Sequence, residues 1–147
     1  MSVLKNKRQE SKAEFVNIAN QIYNETLVFI SRLSARYARL IAQNIMGLAS
    51  EVADNCEKGN SNFPSDDVRK ELRERHFLEA RASLMALDVH MARVYSILIE
   101  NPQGAFSTVA DKSKVIKRLD NMAQSLGEKI DKLSHMLIEL MKSDKKR

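Results

Sequence analysis

Apolar residues recur along most of this chain at spacings of three and four, the period of a helix packed on one side. The most regular run lies in residues 76–99, HFLEARASLMALDVHMARVYSILI. There Phe77, Ala80, Leu84, Leu87, Met91, Val94 and Leu98 form an a/d seam. Leu78, Met85, Val89, Ala92 and Ile99, with Ala82 among them, form a second row. At about 100° per residue, the centres of the two rows lie roughly 150° apart. Glu79, His90, Arg93 and Glu100 fill the wider gap, and Arg81, Asp88 and Tyr95 the narrower one. Two readings are open. Either the helix has one wide core face, or the second row packs on another copy of the chain. A long exposed apolar strip is a liability on a monomer, and a symmetric homo-oligomer is the usual solution. The stretch HMLIELMK near the other end of the chain is also apolar beyond one stripe, which leans the same way.

Three further helical segments are predicted. The first opens at ESKAEF, with Ser11 as N-cap and Glu14 completing a capping box. Its stripe is Phe15, Ile18, Ile22, Phe29 and Leu33. The second covers residues 35–58, with Tyr37, Ile41, Ile45, Leu48, Val52 and Cys56 as its stripe and Gly59 as its stop. The break between these two is marked only by Ser31 and Ser34. The alternative is one helix over residues 12–58, about 70 Å long. The segment holding residues 76–99 starts at FPSDDVRK, with Ser65 as N-cap and Asp66 and Asp67 complementing the helix dipole. It stops at NPQG, about Glu100. The last segment starts at Ser107 or Ser113 and runs to about Lys142, burying Val115, Leu119, Met122, Leu126, Ile130, Leu133, Leu137 and Leu140. Short connections favour antiparallel neighbours, so the expected fold is all-α, an antiparallel up-down-up-down four-helix bundle assembling as a homo-oligomer. The 147 residues form a single domain with short basic tails at about 1–11 and 143–147.

Composition fits this picture. Aromatics are sparse, Trp is absent, and there are two prolines and four glycines. No uninterrupted apolar run approaches the roughly 18 residues of a spanning helix, and the basic start is not followed by the apolar region of a secretory signal. The lone Cys56 has no internal disulfide partner. A cytoplasmic protein without a membrane partner is the expectation.

Catalytic signals are poor. Gly47, Gly59, Gly104 and Gly127 are too dispersed for a phosphate-cradling loop. None of His76, His90 and His135 follows a glutamate at the spacing of a di-iron bundle, and one cysteine builds no common zinc site. No cofactor or metal is expected, and Cys56 reads as a core residue. Some helical ribonuclease families use an Arg followed several residues later by His, and RKELRERH, residues 69–76, is loosely of that form. A solvent face rich in arginine, with Glu71 and Glu74 as ion-pair partners, produces the same spacing.

Charge placement is more informative than the net charge of +5. No acid lies between Glu25 and Glu51, while Arg32, Arg36 and Arg39 share one helical face. Lys112, Lys114, Lys117 and Arg118 stand near the start of the last helix. In an antiparallel bundle these seven cations share one pole and are the candidate contacts to RNA or DNA phosphates. The other pole receives both basic tails and the acidic stretch around Asp66 and Asp67. The plainer alternative is that both sets of cations are solvated helix ends.

ARLIAQNIMGLASEVADNCEKGNS and HFLEARASLMALDVHMARV together resemble the small four-helix-bundle proteins first noticed in intervening sequences of bacterial 23S ribosomal RNA genes. In that family the second helix closes with an Asn and a Gly, here Asn55 and Gly59. The third carries an Ala-Arg-Gly-Ser-like stretch, here Ala80, Arg81, Ala82 and Ser83, with Ala82 at the glycine's place and Ala86 at a place usually acidic. MSVLKNKRQESKAEF and SDKKR resemble the branch encoded beside reverse transcriptases, the accessory variability determinants of diversity-generating retroelements. The resemblance implies a non-enzymatic homopentamer that binds a reverse transcriptase and nucleic acid and supports mutagenic copying of RNA into DNA. The alternatives are an oligomeric protein-interaction scaffold that binds no nucleic acid, and the ribonuclease above. The row Leu78, Met85, Val89, Ala92 and Ile99 is the candidate oligomer interface.

Overall fold

The structure is a computed structural model that describes residues 2–5, 7, 10–100 and 112–147. Among the described residues there are four α-helices and no strand: α1 Glu14–Ser31, α2 Ala35–Asn60, α3 Asp67–Glu100 and α4 Lys112–Lys145. α1 and α3 each pack against both α2 and α4, which makes a four-helix bundle around one core. The α2–α3 interface is the most extensive. All seven residues of the α3 seam are buried. They meet Phe15, Ile18, Ile22 and Phe29 of α1, Ile45, Val52 and Cys56 of α2, and Leu119, Leu126, Ile130, Leu133 and Leu137 of α4. Tyr37, Ile41, Leu48, Val115, Met122 and Leu140, expected on these stripes, are half-buried against the same core.

The helix ends differ from expectation in instructive ways. α1 begins at Glu14 with Ala13 as a cap that offers no side chain. Ser11 does not cap it: its hydroxyl accepts from the Ala13 N–H at 3.1 Å, and the Asn17 side chain binds the Ser11 backbone. Asn17 Oδ1 accepts from the Ser11 N–H at 2.7 Å, and Asn17 Nδ2 donates to the Ser11 carbonyl at 2.8 Å. The long-helix alternative fails at Arg32, Leu33 and Ser34. There α1 closes, Leu33 turns into the core, and the Ser34 hydroxyl accepts from the Tyr37 N–H at 3.5 Å. α3 is capped by Asp66 rather than Ser65: its carboxylate accepts from the Arg69 N–H at 2.8 Å and also pairs with the Arg69 guanidinium. The start expected at Ser107 lies outside the described residues, and α4 already includes Lys112.

Gly59 does not stop α2. The helix runs through it to Asn60, and no described glycine has a positive φ. Gly59 is instead a contact residue. A Cβ built there would lie 2.7 Å from Phe77 Cδ1 and 3.0 Å from Cζ, and closer still to Cε1. Only glycine lets α2 approach α3 this closely. The Phe77 ring is held edge-on by Phe15, with centroids 5.5 Å apart and planes at 88°.

α3 contains a stretch long and apolar enough, by length and composition alone, to cross a membrane. Its apolarity comes from having two rows, and the seam row lies in the bundle core.

Candidate nucleic-acid interface

The two ends of the bundle treat their cations differently. At the end holding the α2–α3 turn, five cations are tied down, while Lys58 and Lys146 are exposed and unpaired among the described residues. Arg73 is buried, and its Nε donates to Asp144 Oδ2 at 2.7 Å. Its Nη1 donates to the Gly59 carbonyl at 3.2 Å, and its guanidinium lies 4.8 Å over the Phe77 ring. Lys70 Nζ donates to the Arg147 carbonyl at 2.6 Å, and Arg147 stacks 5.5 Å over Phe63. Lys145 pairs with Glu74, Arg75 with Glu71, and Arg69 with Asp66. This network corrects the expected tail at 143–147. Residues 143–145 are the last turn of α4, held there by the buried Asp144.

The same network occupies RKELRERH. Arg73 is not part of a solvent face but a buried member of the seam register. His76 Nδ1 lies 3.0 Å from Asn55 Oδ1, the geometry of an N–H donor, and Asn55 Nδ2 donates to the Glu51 carbonyl at 2.9 Å. Asn55, Gly59, Arg73, His76 and Phe77 therefore form one packed joint between α2 and α3. The resemblance stretch adds to that interface: Ala80 is buried, and the Ser83 hydroxyl donates to Glu51 Oε2 at 2.8 Å. Arg81 is half-buried, and its Nε has no partner among the described residues.

At the end holding the α1–α2 turn, the cations are free. Arg36 and Arg39 in the first turns of α2, and Lys114, Lys117 and Arg118 in the first turns of α4, are all exposed. None of these five is in an ion pair among the described residues. Arg32 differs. It is the C-cap of α1 and half-buried, with its Nε shielded and unpartnered among the described residues. The Lys112 side chain lies outside the described residues.

Contacts along the helices give their register. Arg73 with Asp144 and Tyr95 with Asp120 align α3 with α4. Asn55 with His76 and Glu51 with Ser83 align α2 with α3. Extended along both helices, these registers bring Ala35 and Arg118 each level with about Leu98. Arg36, Arg39, Lys117 and Arg118 thus belong to one end of the bundle. Lys114 stands about one turn beyond.

The predicted interface row on α3 divides. Leu78, Val89 and Ala92 are exposed, Leu78 at 52% and Val89 at 50%. Met85 and Ile99 instead pack half-buried against the core. His90 is half-buried and His135 exposed, and the described residues contain no cluster of three metal-ligating side chains. Cys56 is fully buried, and burial followed by the nearby Glu57 charge pushes its thiol up to about 12. No protein-family model, curated protein or solved structure matches the chain.

Proposed function

We propose that this chain is a non-enzymatic accessory protein of a reverse transcriptase, a relative of the 23S intervening-sequence bundles that binds the enzyme and the phosphate backbone of RNA or DNA. Its helices run up-down-up-down and antiparallel, and copies assemble into a homo-oligomer through the exposed part of the α3 row. The observation that carries the nucleic-acid reading is the group of exposed, unpaired cations at the α1–α2 end. Arg36, Arg39, Lys114, Lys117 and Arg118 are exposed and unpaired among the described residues, whereas at the α2–α3 end Arg69, Lys70, Arg73, Arg75 and Lys145 are engaged by carboxylates and carbonyls and Lys58 and Lys146 stay exposed and unpaired. Unpaired exposed cations are what phosphate contact requires, and they carry little base information. The alternative, a scaffold that binds only protein, draws on Leu78 and Val89. Less favoured is the ribonuclease reading on Arg69 to His76, where Arg69 pairs with Asp66 and His76 contacts Asn55.

Fluorescence anisotropy with labelled duplex and single-stranded oligonucleotides tests the reading. Five phosphate contacts give a log–log salt slope of about −4.5 on duplex DNA, or roughly a 500-fold loss of affinity between 50 and 200 mM salt. Changing Arg36, Arg39, Lys117 and Arg118 to Glu together abolishes that binding and leaves the helical content unchanged. Binding indifferent to salt, or to the four changes, overturns the phosphate reading. Co-purification with a reverse transcriptase encoded beside this chain tests the partner, and the absence of any such neighbouring gene removes it.

A further inference from the structure

A cleft of about 340 Å³ opens between α3 and α4. Its floor reaches the core at Phe29, Met91 and Leu126. Small residues at its lip, Ala92, Ser96 and Gly127, keep it open, and a Cβ built on Gly127 would touch nothing within 4 Å. The volume is about twice that of an engineered apolar cavity that takes up benzene. A second groove continues it along α4, sharing Tyr95, Ala123 and Gly127.

The charge around this apolar slot is opposite to that of the protein. Asp88 lines the cleft, and Asp120, Glu128 and Asp131 line its continuation. No Lys, Arg or His lines either. Asp120 accepts from the Tyr95 hydroxyl and Glu128 from Gln124, but none of the four is in an ion pair among the described residues. In a chain of net charge +5, four carboxylates without an ion pair among the described residues, set beside an apolar slot, suit a cationic occupant with an apolar end.

The chain carries such a segment. SVLKNKR, residues 2–8, places Val3 and Leu4 ahead of Lys5, Lys7 and Arg8, with no acid before Glu10. Val3 is 55% exposed and Leu4 83%, so the segment does not fill the cleft of its own chain. Its root is fixed at Ser11 by the two hydrogen bonds to Asn17. In the free chain the Lys7 N–H donates to the Leu4 carbonyl at 3.0 Å, a turn that docking opens; fully extended, residues 3–7 span about 14 Å. Residues 120–131 of α4 span about 16 Å. We infer that the α3–α4 cleft receives the N-terminal segment of a second copy, with Val3 and Leu4 in the apolar slot and Lys5 and Lys7 along the carboxylates. This deepens the oligomeric part of the proposed function and rests on it. It also makes exposed Ala92 the lip of a socket.

Intermolecular disulfide trapping without nucleic acid tests the inference. One preparation carries Leu4→Cys and the other Ser96→Cys, and they are mixed and treated with a disulfide oxidant. The buried native Cys56 stays silent. A 4–96 cross-linked dimer is expected, with none when Gln43→Cys on α2 replaces Ser96→Cys. The cross-link is lost when Glu128→Lys and Asp131→Lys are added. Equal trapping at 43 and 96, or trapping indifferent to the two charge reversals, overturns the inference. Light scattering on the unmodified protein separates it from the reading beneath it. An oligomer without the 4–96 cross-link removes the socket alone, and a monomer at tens of micromolar removes the oligomer as well.

Discussion

Replacing Gly59 by alanine opposes two physical effects, and the structure decides between them. Helix propensity favours alanine over glycine inside a helix by about 1 kcal/mol. Gly59 lies inside α2, so propensity alone predicts a more stable protein. Packing predicts the reverse. The new methyl would meet Phe77 Cδ1 at 2.7 Å and Cζ at 3.0 Å, inside van der Waals contact. The ring has no room to withdraw, being fully buried, braced edge-on by Phe15 and covered by the Arg73 guanidinium. Overpacking of this kind costs about 1–3 kcal/mol, and the immobile ring puts it at the upper end. The expected net loss is about 2 kcal/mol, or roughly 4–8 °C in Tm for a chain of this size.

Gly47 and Gly127 supply the matched controls. Both are inside helices, and a Cβ on either meets nothing within 4 Å. Gly47→Ala and Gly127→Ala are expected to gain about 0.5–1 kcal/mol each. Circular-dichroism melts and urea titrations of the three single variants read the signs directly. Phe77→Leu should also cost less in the Gly59→Ala background than in wild type, since it removes the atoms in conflict. A Gly59→Ala protein that melts at or above wild type refutes the packing argument, as does an equal loss in all three variants.

Asp144→Ala strands the buried Arg73 guanidinium and is expected to cost about 3 kcal/mol in urea unfolding; a loss under 0.5 kcal/mol would show that the pair is not buried in solution. Asp66 should make stability pH-dependent in one direction. Its N–H bond from Arg69, and the Arg69 charge, hold its carboxyl below the ordinary value of 3.8, so its stabilisation is complete above that value and fades as pH falls through the lowered one. Asp66→Asn keeps a cap and should flatten the low-pH end of the melting curve, so an unchanged acid limb counts against it. Cys56, pushed up to about 12, should resist thiol reagents at pH 8 and react only after denaturant is added. Under the proposed assembly Val89→Glu should run as a monomer in size-exclusion with light scattering; an unchanged oligomer moves the interface off the exposed row, and a monomeric wild type removes the assembly.

The a/d seam of α3 was legible because one periodic rule, applied to apolar residues, finds all seven buried positions. Helix starts were less so. Ser11, Asn17, Ser65 and Asp66 are all competent acceptors, and the choice among them depends on which reaches an N–H. The second row was legible as apolar but not as a surface. Whether Met85 and Ile99 face inward depends on how close the neighbouring helices stand, which periodicity in one helix does not contain.

The buried pair of Arg73 and Asp144 marks the deeper limit. RKELRERH reads as solvent-facing when apolar residues alone are counted. Yet the seam runs back from Phe77 by four to Arg73, and the α4 stripe runs on from Leu137 by seven to Asp144. Each charge sits where its own helix points inward, and each has a partner only because the other helix does the same. The register was present in both stretches, but the pairing joins residues far apart in the chain. The same holds for the candidate interface. Arg73 and Arg36 are equally basic as letters, and Asp144 removes the first from solvent while no carboxylate among the described residues reaches the second. What makes Arg36, Arg39, Lys117 and Arg118 candidates for phosphate is therefore that no carboxylate pairs with them among the described residues, a property of the folded bundle that no count of charges along the chain contains.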